Sequence, residues 1–125
     1  MSNRPIKILL AEHDEGLRQV LAERLTRLGY EVTAVSTRDE ALEVAKRLRP
    51  NLVLTHNTLE RDAKDGLKLL LDLRMEQVEA PVIVISGEKL GHHNPERIKQ
   101  GFADALSTPF ESADLDASIK SVLGR

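Results

Sequence analysis

Glu12, His13 and His56 are the residues in this chain whose types could do chemistry together. Glu12 and His13 follow the apolar run 6–11 (IKILLA), and His56 follows the run 52–55 (LVLT). Ser86 ends a third run, 82–85 (VIVI), and Thr108-Pro109 follows a weaker one, 103–107. Two imidazoles beside one carboxylate suit zinc, iron or nickel better than magnesium. The same set could sense pH, because histidine titrates near neutrality and the carboxylates of Glu12, Asp14 and Asp65 would favour its charged form. A phosphoryl carrier on His56 is a further chemistry, but no lysine or arginine is assured beside it. The pair His92-His93 has ligand-type side chains, yet adjacent residues in a loop read more simply as solvated.

The elements that must position these residues are legible. The run 6–11 is apolar on both faces, as a strand covered on both sides requires. A helix follows from about Glu15 to Leu28, with Leu17, Val20, Leu21, Leu25 and Leu28 on one stripe. Asp14 is its expected N-cap and Gly29 its left-handed stop. Val32–Val35 is a second strand. Thr37 with Glu40 reads as a capping box opening a second helix, with Ala41, Leu42, Ala45 and Leu48 on its apolar side. A third strand spans 52–55, and a leucine-rich helix spans Leu67–Arg74. Val82–Ile85 is wholly β-branched and reads as a fourth strand. Asn94-Pro95 is an N-cap with proline at the first helical position, opening a short helix whose one clear anchor is Ile98. Ala103–Ser107 is a fifth strand. Ser112 is expected to cap a last helix anchored by Leu115, Ile119 and Val122. Strands alternating with helices through short connections predict an α/β, doubly wound, five-stranded parallel sheet. The carboxyl ends of such strands gather the chemistry, so the polar residues above could converge there.

Composition bounds the function. The 125 residues suit one domain, 1–125, with a leader at 1–5 and either an end or the start of a linker at 124–125. Apolar residues make up 41%, and Tyr30, Phe102 and Phe110 are the only aromatics, so the core must be aliphatic. A net charge of −2, from 18 basic and 20 acidic residues, gives no case for nucleic acid or an acidic membrane. The absence of cysteine excludes disulfides and thiolate chemistry. No apolar run approaches the roughly 20 residues a membrane span needs. A cytoplasmic location is expected.

Residues 6–123 resemble the receiver domain of two-component response regulators. ILLAEHDEGLR is similar to that family's first strand and acidic turn, and PNLVLTH to its third-strand signature. LGYEVTAVSTRDEAL, PVIVISG and GFADALSTPF are similar to the stretches around strands two, four and five. The resemblance implies a (βα)5 flavodoxin-like receiver fold with strand order 2-1-3-4-5. It implies a magnesium ion held by an acidic pair and by an aspartate that accepts a phosphoryl group. It implies a hydroxyl and a lysine on the phosphoryl oxygens, and an aromatic that switches rotamer.

The departures alter the expected function. His56 stands at the phosphoacceptor position, and the acidic pair has become Glu12 and His13. Thr108 replaces the lysine, Ala105 replaces the switch aromatic, and Ser86 retains the hydroxyl. The turn before Gly66 is replaced by the longer, charged 59–65 (LERDAKD). Magnesium wants hard oxygen ligands, so its site is expected to be degraded and no cofactor is expected. Phosphoryl transfer rests on positioning and charge neutralisation, and little is left here to supply either. The expectation is a non-enzymatic pseudo-receiver that binds protein partners independently of phosphorylation. The resemblance places that partner face at 94–123 and allows a homodimer. The alternative is a metal-binding or pH-sensing site built from Glu12, His13 and His56.

Overall fold

The computed structural model describes residues 4–59, 64–87 and 91–125. The strands are β1 (Lys7–Ala11), β2 (Glu31–Val35), β3 (Leu52–His56), β4 (Val82–Ser86) and β5 (Asp104–Ser107). They alternate with helices α1 (Glu15–Arg27), α2 (Arg38–Leu48), α3 (Asp65–Met75), α4 (Pro95–Gln100) and α5 (Ser112–Leu123). All pairings are parallel, in the order β2-β1-β3-β4-β5. The expected doubly wound topology is therefore observed.

The strands are apolar on both faces because each face is covered. Leu9, Ala11, Val53, Val82 and Val84 face one layer of helices, packing with Ala41 and Ala45 of α2, Leu69, Leu70 and Leu73 of α3, and Phe102. The alternate residues Ile8, Leu10, Leu52, Leu54, Ile83 and Ile85 face the other layer, with Leu21 and Leu25 of α1 and Leu115 and Ile119 of α5. This period-two split is what the strand pleat dictates. Each of these leucines is buried almost completely. Truncating one to alanine costs about 2–5 kcal/mol.

Most boundary signals work as expected. Asp14 caps α1 through Leu17 N at 2.9 Å, and Gly29 ends it at φ +97°. Thr37 caps α2 through Glu40 N at 3.1 Å. The return arm of that box goes elsewhere: Glu40 Oε1 accepts from Ser36 Oγ at 2.9 Å. Three details are corrected. Val20 and Ile98 are exposed, not core anchors. The N-cap of α5 is Glu111, not Ser112, and Asp114 Oδ2 accepts from its backbone N–H at 2.9 Å. β3 and β4 each run one residue further, so His56 and Ser86 are the last strand residues rather than the first loop residues. Of the charged stretch 60–65, residues 60–63 lie outside the described residues, as do residues 1–3 of the leader. Among the described residues, no helix is long and apolar enough to cross a membrane.

Candidate functional site

Glu12 is the centre of the carboxyl edge. Its backbone N–H still donates to Val35 O at 3.0 Å, so the ladder between β1 and β2 holds it one residue beyond the strand. Its side chain is 1% exposed. Oε2 accepts from Asp14 N at 3.1 Å and lies 3.4 Å from His13 Nδ1. Oε1 lies 4.0 Å from His56 Nε2 and is buried without a hydrogen-bond partner. The two histidines thus approach different oxygens of one buried carboxylate. Arg18 Nη1 donates to Glu12 O at 3.0 Å and to His13 O at 3.3 Å. Arg18 thereby fastens the turn that carries Glu12 and His13.

His56 is held from its other side. Thr58 N donates to His56 Nδ1 at 3.1 Å, while Thr58 O lies 3.2 Å from the same nitrogen. A neutral ring that accepts from Thr58 N carries its proton on Nε2, the nitrogen facing Glu12. A doubly protonated ring would donate to Thr58 O instead and still face Glu12.

Asn57 is the site residue that sequence reasoning missed. Its side chain is 4% exposed, and Oδ1 is buried without a hydrogen-bond partner. Its backbone is fixed by a bond from Asn57 N to Ile85 O at 2.7 Å, and its carbonyl accepts from Gly66 N at 2.9 Å. Gly66 is needed for that approach. A Cβ there would stand 3.1 Å from His56 O and 3.2 Å from Asn57 Cα. The signal available was the polar residue directly after His56, which the alternation of β3 turns to the opposite side. Asp65, expected near the histidines, is buried, accepts weakly from Leu59 N at 3.4 Å and lies 3.6 Å from Arg38 Nη1. Arg38 Nε also reaches Asp72 Oδ2 at 3.6 Å, so it bridges α2 and α3 beside the site.

Ser86 and Thr108 form a second group on the same edge. Thr108 N donates to Ser86 O at 3.0 Å, and Thr108 Oγ1 lies 3.5 Å from that carbonyl. The Thr108-Pro109 peptide is cis. Ala105 is buried in β5 opposite Val84, and a methyl group there has no side-chain rotamer to switch. Further along β5, the histidine pair departs from the solvated reading. His93 N donates to Ala105 O at 2.7 Å, and His92 Nδ1 accepts from Ser107 N at 3.1 Å. His93 Nδ1 lies 2.7 Å from Asp104 Oδ1, and Ser118 Oγ donates to Asp104 Oδ2. The pair fastens its loop to the outer edge of β5. The carboxylate lies between serine and imidazole, so the histidine cannot take the Ser118 proton as a general base would.

Magnesium, which the resemblance implies, takes oxygen ligands in near-octahedral array. Glu12 offers one carboxylate, but imidazoles occupy positions 13 and 56, and His56 Nδ1 is engaged by Thr58. These residues do not fit that ion. Among the described residues, no three His, Asp or Glu side chains are arranged to hold a metal.

Comparison with known proteins accounts for the sheet beneath this edge. The response regulator receiver domain pattern matches residues 8–120. The probable transcriptional regulator ycf27 of Pyropia yezoensis is 32% identical over 125 residues, covering all of this chain and 50% of its own. The transcriptional regulatory protein GlrR of Escherichia coli is 30% identical over 123 residues, covering 98% of this chain and 27% of its own. The chain spans half or less of the length of these two relatives. Among solved structures, the receiver domain of the sensor histidine kinase PA1611 of Pseudomonas aeruginosa superposes with a TM-score of 0.84 at 26% identity, covering 98% of this chain and all of that one. That structure holds a magnesium ion in its active-site cleft. The chemotaxis response regulator CheY4 of Vibrio cholerae, at 22% identity, covers 95% of this chain and 99% of its own, and shows the same fold with a TM-score of 0.81. With the family pattern matched over residues 8–120 and the fold shared over nearly the whole length, this chain belongs to the response regulator receiver domain family.

Proposed function

We propose that this receiver domain of two-component signalling works as a phosphorylation-independent protein-interaction module. The observation that carries the reading is His56. An imidazole occupies the end of β3, facing Glu12 and braced by Thr58, where an acyl phosphate would need a carboxylate. Thr108, beside Ser86, stands where the resemblance implies a lysine, so that cation is missing for a transferring phosphoryl group. The partners are proteins of a signalling pathway, engaged through residues 94–123 in the cytoplasm, with a homodimer as one form of that contact. The domain itself is not an enzyme. Incubation with acetyl phosphate and magnesium, read by intact mass, tests the reading. No phospho-adduct is expected. A stable stoichiometric adduct would sink it.

A second reading is favoured by the two-sided seating of His56: a pH-sensing site built from Glu12, His13 and His56. Thr58 offers that ring a backbone donor and a backbone acceptor at nearly equal distance. NMR titration of the two rings tests it. Model-compound behaviour for both would end it. The metal-binding form of this alternative gains no support from the described residues.

A further inference from the structure

The amino edge of the sheet carries a cavity of about 400 Å³ lined by the segment 4–7, Arg49, Asn51 and Arg125. Four of its lining side chains are cationic, namely Arg4, Lys7, Arg49 and Arg125, and none is acidic. This concentration is local, because the chain as a whole has a net charge of −2. The volume lies in the lower part of the range for small-molecule sites.

The backbone holds these cations together. Lys7 N donates to Asn51 Oδ1 at 2.8 Å, and Asn51 N donates to Lys7 O at 2.9 Å, which locks the entries of β1 and β3 side by side. Arg49 is the C-cap of α2 and sits in the left-handed region at φ 50°, ψ 64°. At the same edge the stops of α1 and α5 use glycine there, Gly29 at φ +97° and Gly124 at φ +72°. Glycine would end α2 without strain, so helix termination does not call for arginine. Gln77, which follows the C-cap of α3 at φ 59°, is likewise not glycine, and its carbonyl accepts from Arg49 Nη1 at 3.5 Å, which anchors the guanidinium that lines the cavity.

From this arrangement we infer a binding site for a small phosphate-bearing anion of two or more charges. Guanidinium and ammonium groups bind phosphate oxygens through charge-assisted hydrogen bonds, and guanidinium does so in bidentate fashion. Lys7 and Arg49 are the principal contacts, and Asn51 sets their spacing. The site is independent of the carboxyl edge, which stands roughly 17 Å away along β1 at the rise of a five-residue strand.

Titration of the whole chain with sodium pyrophosphate, followed by NMR and calorimetry, tests the inference. Saturable shifts confined to residues 4–7, 49–51 and 125 are expected. K7A and R49G should each weaken binding about ten-fold, as loss of a charge-assisted contact predicts. R49G should also raise Tm, which separates lost binding from lost folding. A flat titration through the millimolar range, or unchanged affinity in R49G, overturns the site. Citrate binding as tightly as pyrophosphate overturns the assignment to phosphate.

Discussion

The two edges of one sheet are built on the same strands and have opposite chemistry. At the carboxyl edge, β1 leads into Glu12 and β3 through His56 into Asn57, and Glu12 Oε1 and Asn57 Oδ1 are buried without hydrogen-bond partners. At the amino edge, the same two strands begin beside Lys7 and Asn51, within a cavity whose charged lining is entirely basic. The first edge is filled by its own residues: the Thr58 backbone braces His56, the Arg18 side chain ties down the turn at Glu12, and Gly66 packs against Asn57. The second is open. The edge where such a sheet gathers its chemistry is filled by internal contacts, while the left-handed Arg49 stands at the other.

Four experiments break or sharpen this contrast. The largest effect is expected from H13D/H56D/T108K, which returns two carboxylates and a cation to the carboxyl edge. This triple variant should form a phospho-adduct with acetyl phosphate and magnesium where the parent forms none. Failure of the triple variant, if folded, would mean that more than these three residues closed the site. G66A comes next. Its Cβ meets backbone that cannot yield cheaply, at 3.1 Å from His56 O. Chemical denaturation should show a loss of about 1–3 kcal/mol. An unchanged midpoint would show that the close approach of α3 to β3 is relaxed in solution.

R49G should gain about 1 kcal/mol, measured in the same way, by removing a non-glycine residue from the left-handed region. A loss of stability would mean that the Arg49 contact with Gln77 O, at 3.5 Å, outweighs the strain. The smallest effect concerns Tyr30, whose hydroxyl donates to Asp116 Oδ1 at 2.7 Å. Burial, and then this bond, push the phenol up to about 12. The folded state therefore holds the phenolic proton more tightly than the unfolded chain. Its contribution is full below about pH 10 and is lost as pH rises towards 12. The stability difference between the parent and Y30F should shrink over that interval. A constant difference would show that the bond does not discriminate between protonation states. The Asp116 carboxyl is held low, first by Lys120 and then by Tyr30, so its share is present above the usual aspartate range and fades in acid.

Much of this was legible in sequence because local chemistry and the global fold agree. Asp14, Thr37 and Asn94 announce helix starts through side-chain acceptors, and all three cap as expected. Val82–Ile85 could hardly be anything but a buried strand. The errors fell where two signals compete. Ser112 is a good cap residue, but Asp114 reaches back to Glu111 and sets the boundary one residue earlier. Val20 and Ile98 are apolar residues on helices, yet both side chains are exposed. His92 and His93 looked like loop residues, and only the proximity of the β5 edge and Asp104 gives them partners.

The sequence alone determined the topology, because apolar runs of strand length separated by amphipathic helices admit few chiral arrangements. It also determined which residue types stand at the strand ends. The tertiary structure decided what those residues meet. That Glu12 turns inward between two imidazoles, that Asn57 is buried, and that Arg4, Lys7, Arg49 and Arg125 line one cavity all depend on contacts between segments far apart in the chain. Periodicity reports which face of an element is buried. It carries no information about the partner across a crevice, which is fixed only when the strands take their register.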